Sequence, residues 1–195
     1  GRTGLSNGDR PYIKEPEYKA ALEFQPHIVV IKFGTNDTKP QNWVYRHDFE
    51  GDIEAMAKSF ESLPSKPEIY LCYPAMAYKV QWGIRNSVIE DEVIPKIKKV
   101  AKKNGWKTIN LHKATAKMPE HFPDAIHPDP YAAGVIAQVV NVAGVTIDIE
   151  RVIATTDVQC AASNAGGIIG YGKTVICTNV VYTGNYIANS SSDTE

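Results

Sequence analysis

An aspartate and a histidine stand three residues apart in the segment Asp124-Ala-Ile-His127-Pro128. An imidazole can accept and return a proton near neutral pH, so His127 is a candidate general base. Asp124 could accept a hydrogen bond from one ring nitrogen and thereby fix the tautomer of that base. The same spacing has an ordinary interpretation, in which Asp124 caps a helix beginning near Pro128 and His127 is a loop histidine.

The segment Gly34-Thr-Asn-Asp37 favours the catalytic interpretation, because it directly follows the strand-like run 27–33, which contains the apolar residues 28–31. The side-chain amide of Asn36 is a neutral donor of the kind that stabilises a developing oxyanion. Asn36 could instead be a turn residue that tolerates left-handed backbone. Asp37 is expected to orient the loop rather than to react. Together the two segments indicate ester hydrolysis, which needs a nucleophile, a base, an orienting group and oxyanion donors.

The elements that must position these residues alternate between strand-like and helix-like patterns over the first 140 residues. This alternation predicts an α/β fold with a parallel sheet, right-handed crossovers and helices on both faces. Ligand sites in such sheets lie beyond the carboxyl ends of the strands, so both segments are expected at one edge. The predicted strands are 27–33, 68–73 and 106–111, and the predicted helices are 48–62, 86–103 (kinked or restarted at Pro95) and 130–140.

Composition changes after about residue 143, where charged residues become rare and Thr, Val, Asn, Gly and Ser dominate. The pattern predicts two parts, residues 1–142 and a β-rich segment 143–195 with short strands in 165–171 and 175–187. The glycine-rich phrases resemble single rungs of bacterial β-solenoids. An alternative is that these last residues are an unrelated fragment joined by a cloning or assembly accident.

Composition also excludes several classes of partner. The net charge of −1 gives no reason to expect nucleic acid or an anionic membrane, and no apolar run approaches the length of a membrane span. Cys72 lies in an apolar run and is expected to be a buried reduced thiol. No Cys/His cluster has zinc spacing, and His112 and His121 are expected to be surface histidines.

Gly34-Thr-Asn-Asp37 and Asp124-Ala-Ile-His127 resemble the third and fifth sequence blocks of the SGNH (GDSL-type) hydrolases, and Gly1-Arg-Thr-Gly4 looks like the second block. The stretches Asn7-Gly-Asp-Arg-Pro-Tyr12 and Lys39-Pro-Gln-Asn-Trp43 are similar to bacterial carbohydrate O-acetylesterases of the sialate O-acetylesterase-like kind. The resemblance covers roughly residues 1–140. It implies a three-layer, flavodoxin-like fold whose parallel sheet is incomplete at its N-terminal side.

The resemblance also implies roles for single residues. His127 would be the general base, Asp124 its orienting partner, and Asn36 and the backbone N–H of Gly1 the oxyanion donors. The family nucleophile is the serine of a Gly-Asp-Ser motif that precedes the second block, and no such motif occurs in this sequence. We therefore expect the serine to lie upstream of Gly1 and this chain alone to be inactive or nearly so. Such chemistry needs no metal and no organic cofactor.

Three further residues follow predicted strand ends, namely Trp43, Trp82 and Arg85. They could line a cleft for a sugar, since aromatic faces suit pyranose rings, or they could be packing residues and a surface ion pair. The implied substrate is a small-molecule or carbohydrate ester, most simply an acetyl ester, and a secreted or envelope location is suggested by analogy. The alternative function is a non-catalytic carbohydrate-binding or cell-surface module on a decayed esterase fold.

Overall fold

The computed structural model describes residues 1–143 and, beyond them, four short strands at 153–154, 158–160, 181–182 and 186–188. The chain divides into two compact units, Gly1–Val145 and Thr146–Glu195. The first unit contains every residue for which the sequence predicts chemistry. In the described part of the chain, no helix is long and apolar enough to cross a membrane.

Three parallel strands form the sheet of the first unit, in the order β1 (Ile28–Ile31), β2 (Glu68–Tyr73) and β3 (Lys107–Asn110). In the register, Val29 pairs with Ile69 and Cys72 pairs with Ile109. The five residues of β2 that follow Glu68 are all buried, because this strand is central and covered on both faces. The predicted parallel sheet and its strand positions are therefore confirmed.

Helices lie before, between and after the three strands of the sheet. They are α1 (Pro16–Glu23), α2 (Pro40–Trp43), α3 (Phe49–Glu61), α4 (Asn86–Val88), a π-helical segment (Ile89–Val93), α5 (Ile94–Asn104), α6 (Leu111–Ala114) and α7 (Pro130–Val142), with 3-10 turns at Tyr12–Lys14, Asn36–Thr38 and Pro119–His121. The crossover from β1 to β2 carries α3, and the crossover from β2 to β3 carries α4, the π-helical segment and α5.

The sheet is sandwiched between two helical layers. On one face, α3 and α5 bury residues such as Phe49 and Ile97 against Val29 and Leu71. On the other face, Tyr70, Cys72 and Ile109 meet the apolar side of α7. This three-layer α/β arrangement is the one expected from the sequence. Cys72 is 1 % exposed, and burial raises the pKa of its thiol to about 11, so the expectation of a buried reduced thiol is confirmed.

The α-helix restarts at Pro95, one of the two outcomes that the position of this proline in the sequence predicts. Pro95 stands in the first turn of α5, directly after the π-helical segment, where a missing N–H is tolerated. Before it, Ile89 packs with Ile84 and Ile126, while Val93 belongs to the core between α3 and the sheet. The wider π turn thus allows one continuous helical run to contact two separate clusters.

In the second unit, β4 (Ile153–Ala154) pairs in parallel with β6 (Val181–Tyr182), and β5 (Val158–Cys160) pairs in parallel with β7 (Tyr186–Ala188). β6 and the first residues of β7 fall inside the predicted strand region 175–187. The predicted strands in 165–171 lie outside the described residues.

Candidate active site

A cleft of about 470 Å³ opens at the carboxyl ends of the strands, where two loops of the first unit meet. One loop leaves β1 and supplies Gly34 and Asn36, and the other precedes α7 and supplies His127. Gly1 and Trp82 complete the part of the wall discussed below. The topology therefore brings the two sequence segments to one site, as parallel strands require.

Asp124 and His127 form a hydrogen-bonded pair. Asp124 Oδ2 lies 2.7 Å from His127 Nδ1, and Asp124 Oδ1 accepts the backbone N–H groups of His127 at 2.7 Å and Ile126 at 2.9 Å. The N–H of His127, then its imidazole, then the N–H of Ile126 lower the pKa of Asp124 to about 2. The carboxylate therefore stays charged and holds the imidazole by Nδ1, which leaves Nε2 as the nitrogen available for proton transfer.

The helix-capping interpretation of Asp124 is excluded by the start of α7. The residue at its N-cap is Asp129, whose Oδ1 accepts the N–H of Ala132 at 2.9 Å. Asp129 also holds His121, with Oδ2 2.8 Å from His121 Nδ1 and its own N–H donated to the carbonyl of His121 at 2.8 Å. These bonds close the base of the loop that carries Asp124 and His127.

Asn36 and Gly1 lie against each other on the cleft wall. A Cβ at Gly1 would collide with Asn36 Nδ2, so any side chain at this position would displace the Asn36 amide. The carbonyl of Asn36 accepts the Nδ2 of Asn42 at 2.9 Å, which fixes the backbone of the loop. Gly34 has φ +118°, and a Cβ there would lie 2.6 Å from Val93 Cγ1. The two predicted oxyanion donors are thus adjacent, with Asn36 on a tightly packed turn and Gly1 against it.

Asp37 is fully buried and joins the two segments that carry those donors. Its Oδ1 accepts the N–H of Leu5 at 2.8 Å, and its Oδ2 accepts the N–H groups of Gly34 at 3.0 Å and Gly4 at 3.2 Å. Burial raises the pKa of this carboxyl, while the N–H groups of Leu5, Gly4 and Gly34 act in the opposite direction. The sequence suggested that Asp37 orients one loop, and the structure shows that it connects two.

Trp82 lines the cleft beside the candidate base. Its side chain is exposed, and its ring centroid lies 5.6 Å from that of His127 with the planes inclined at 49°. Trp82 and Gly83 have φ values of +51° and +81°, and the N–H of Ile84 donates to the carbonyl of Gln81 at 2.9 Å. A tight turn therefore presents the indole to solvent at the edge of the site.

The structure does not place Trp43 or Arg85 on the cleft wall. Trp43 is 4 % exposed, packs edge-to-face on Phe49 and donates its indole N–H to Glu92 Oε2 at 3.0 Å, so it is a core residue. Arg85 donates Nε and Nη2 to the carbonyl of Thr38 at 2.9 and 2.6 Å. Its role is to fasten the turn that begins at Asn36, which neither of the sequence interpretations anticipated.

Other features of the site were missed or misjudged from the sequence. The cleft is also lined by three basic residues, Arg2, Lys32 and Lys39. The signal that could have found them is their position in the sequence, beside Gly1 or beside the segment Gly34–Asp37. His112 is not a surface residue but is 9 % exposed, with Nε2 3.1 Å from Asn86 Oδ1, and burial lowers its pKa. Among the residues described, no serine lines the cleft and no cluster could hold a metal ion.

Comparison with known sequences shows which family this chain matches. The sequence model of the GDSL-like Lipase/Acylhydrolase family matches residues 5–134, which is most of the first unit. An acetylxylan esterase from Xylanibacter ruminicola is 38 % identical over 160 residues, covering 73 % of this chain and 33 % of the relative. The chain thus spans one third of the length of that relative.

Solved structures with the same fold are more distant in sequence. The crystal structure of an acetyl xylan esterase aligns with a TM-score of 0.53 at 21 % identity, covering 65 % of this chain and 71 % of the other. An acetylxylan esterase from Geobacillus stearothermophilus aligns with a TM-score of 0.54 at 15 % identity, covering 67 % and 65 %. A GDSL-like lipase from Bacteroides thetaiotaomicron aligns with a TM-score of 0.51 at 21 % identity, covering 65 % and 66 %.

Proposed function

The chain belongs to the GDSL-like lipase/acylhydrolase family, and from that membership we propose that it is part of a serine esterase that removes acetyl groups from carbohydrates. The observation that carries the proposal is the 2.7 Å contact between Asp124 and His127, in a loop that meets Asn36 at one cleft. The acetylxylan esterase of Xylanibacter ruminicola supports the choice of acyl group and of a carbohydrate.

The proposed nucleophile is a serine carried by a segment of the protein that precedes Gly1. His127 Nε2 would take the proton of its hydroxyl while the oxygen attacks the ester carbonyl. The protonated imidazole is held by Asp124 and then gives the proton to the departing sugar oxygen, which leaves an acetyl-serine. A water molecule, deprotonated by the same nitrogen, attacks this ester and releases acetate and the free serine.

Negative charge on the carbonyl oxygen would be met by the Nδ2 of Asn36 and the backbone N–H of Gly1. With a segment preceding Gly1 both groups would be neutral donors, and the contact between the two residues supports a single small donor patch on the wall. Losing one such donor typically lowers kcat by roughly a hundred- to a thousandfold, so this patch is the second essential part of the proposed mechanism.

The sugar itself would rest on Trp82. An exposed indole at the rim of a catalytic cleft offers a flat apolar face on which a pyranose ring can stack. The distance of 5.6 Å between the rings of Trp82 and His127 would keep the esterified part of the sugar within reach of the base. Arg85 contributes indirectly, by its two hydrogen bonds to the carbonyl of Thr38.

The experiment is hydrolysis by the protein that includes the segment preceding Gly1. Acetate release would be measured from acetylated xylo-oligosaccharides and from 4-nitrophenyl acetate, with His127→Gln and the matched surface variant His47→Gln. We expect release that is abolished by His127→Gln and retained by His47→Gln, because His47 is exposed and does not line the cleft. No release from either ester would contradict the esterase proposal and leave the non-catalytic carbohydrate-binding module as the alternative.

A further inference from the structure

The charged residues that line the cleft all have the same sign. Arg2, Lys32 and Lys39 are on the wall, and no aspartate or glutamate is among the described lining residues. Two carboxylates that contact lining residues are already bonded, Asp124 to His127 and the buried Asp37 to Gly34. The chain as a whole has a net charge of −1, so this local excess of positive charge does not reflect a generally basic protein.

Two of these three cations have no carboxylate partner within the described part of the chain. Arg2 forms an ion pair with Glu15 at 2.9 Å, which compensates its charge. For Lys32 and Lys39 the described residues provide no such ion pair. The lysines of α5 behave differently, since Lys96, Lys99 and Lys103 each pair with a glutamate of α3. The unpaired ammonium groups thus flank the Gly34–Asp37 turn.

The position of Lys39 relates it to the proposed sugar platform. A Cβ added to Gly83 would lie 3.8 Å from Lys39 Cβ, so the stem of this lysine runs beside the turn that presents Trp82. Lys32 stands at the end of β1, immediately before the turn that carries Asn36. A cleft lined by charges of one sign concentrates ligands of the opposite sign, because its low-dielectric walls focus the field.

We propose that the cleft selects anionic carbohydrates, whose esterified sugar carries a carboxylate or sulfate group nearby, and that Lys32 and Lys39 determine this specificity. The inference rests on the proposed function of the cleft as a carbohydrate site. It goes beyond that function, since an esterase for neutral xylan would need no uncompensated ammonium groups beside its oxyanion donors. The preferred ligand is an oligosaccharide whose sugar stacks on Trp82 while its anionic group meets the two lysines.

Binding of unesterified oligosaccharides to the 195-residue chain tests the proposal without any catalytic step. Isothermal titration calorimetry would compare a xylo-oligosaccharide that carries one glucuronic acid with the same oligosaccharide unsubstituted and with a sulfated form. We expect one or both anionic ligands to bind more tightly than the neutral one, and the tighter of the two identifies the anionic group. The preference should shrink as salt is raised from about 0.05 to about 0.5 M. This change shortens the Debye length by roughly half or more, so that exposed charges are screened from one another.

The variants Lys32→Gln and Lys39→Gln should each reduce the anionic-to-neutral affinity ratio by roughly two- to fivefold, as expected for exposed ion pairs. Lys98→Gln is the matched control, since Lys98 is an exposed lysine of α5 away from the cleft. All variants keep the same chain terminus, so the comparison isolates the lysine side chains. Three results would each overturn the proposal: equal affinities for the three ligands, no binding of the anionic ligands, or a preference left undiminished when Lys32→Gln and Lys39→Gln are combined. Hydrolysis of acetyl esters by a protein that includes the segment before Gly1 is a separate measurement. Failure of the esterase proposal can therefore be distinguished from failure of the proposed preference for anionic carbohydrates.

Discussion

The carboxylate of Asp37 accepts the backbone N–H of Leu5 at 2.8 Å, which ties the start of the chain to the turn after β1 across 32 residues of sequence. The same carboxylate holds Gly34, on its own turn. The two proposed oxyanion donors, Gly1 and Asn36, belong to the two segments that this single buried group connects. The geometry of the donors therefore depends on a residue that has no proposed contact with the substrate.

Asp37→Asn should destabilise the fold and loosen the donor patch. An asparagine has one acceptor oxygen where the carboxylate uses two, so at least one of the N–H groups of Leu5, Gly4 and Gly34 loses its partner. We expect the free energy of unfolding in urea to fall by about 2 kcal/mol. The control Asp91→Asn, at an exposed position, should change it by less than about 0.5 kcal/mol. Equal stabilities for the two variants would show that the buried carboxylate is not a structural link.

Asp124→Asn should leave binding intact and slow turnover in a protein that includes the proposed serine segment before Gly1. The asparagine can preserve the shape of the loop, but its amide favours the wrong imidazole tautomer and cannot stabilise a protonated His127. We expect kcat to fall by roughly a thousand- to ten-thousandfold with little change in KM. The measurement is steady-state hydrolysis of an acetylated xylo-oligosaccharide. An undiminished kcat would remove Asp124 from the proposed mechanism.

The same aspartate predicts a pH dependence of stability in the acid range. The pKa of Asp124 is lowered from 3.8 to about 2 in the folded chain, so the folded state binds its proton less readily than the unfolded state. The stabilising contribution is therefore complete above about pH 5 and is lost progressively as the pH falls towards 2. The difference in unfolding free energy between the parent chain and Asp124→Asn should shrink over that interval. A difference that grows on acidification would contradict the sign of the shift.

Trp82→Asn should have opposite effects on stability and on binding. Asparagine adopts positive φ more readily than tryptophan, so relief of strain at φ +51° is expected to stabilise the chain by up to about 1 kcal/mol. Loss of the indole should weaken binding of xylo-oligosaccharides, which calorimetry and urea denaturation would measure on the same sample. Trp82→Phe keeps an aromatic ring and the strain, and serves as the comparison. An asparagine variant that binds as well as the parent would exclude the indole as a platform.

Local pattern predicted the central elements well. Helix α3 was expected at 48–62 and is Phe49–Glu61, and β2 was expected and found at 68–73, because both bury a regular set of apolar residues. Helix α1 was not predicted, since none of its eight residues is buried and it carries no strong apolar period. Helix α6, which has one turn and buries His112, was not predicted because its packing is set by distant segments.

In the candidate site, too, some contacts could be predicted from the local sequence and others could not. The pairing of Asp124 with His127 is local and follows from a spacing of three residues, so the sequence was sufficient to suggest it. The adjacency of Gly1 and Asn36 depends on the long-range bonds of Asp37, and only resemblance to a family indicated it. The burial of Trp43 and the bonds of Arg85 arise from contacts more than forty residues apart in sequence, which no local pattern encodes.

The π-helical segment Ile89–Val93 has a consequence for how the sequence can vary. Ile89 packs beside Ile126, next to the candidate base, and Val93 packs against Gly34, next to the oxyanion turn. Removing one residue from this segment would turn everything on one side of it by about 100° relative to the other. One of the two loops would then lose its support even if every remaining side chain stayed apolar. Selection should therefore preserve the number of residues in this segment more strongly than their identity. We expect substitutions to accumulate between residues 89 and 93, while insertions and deletions do not.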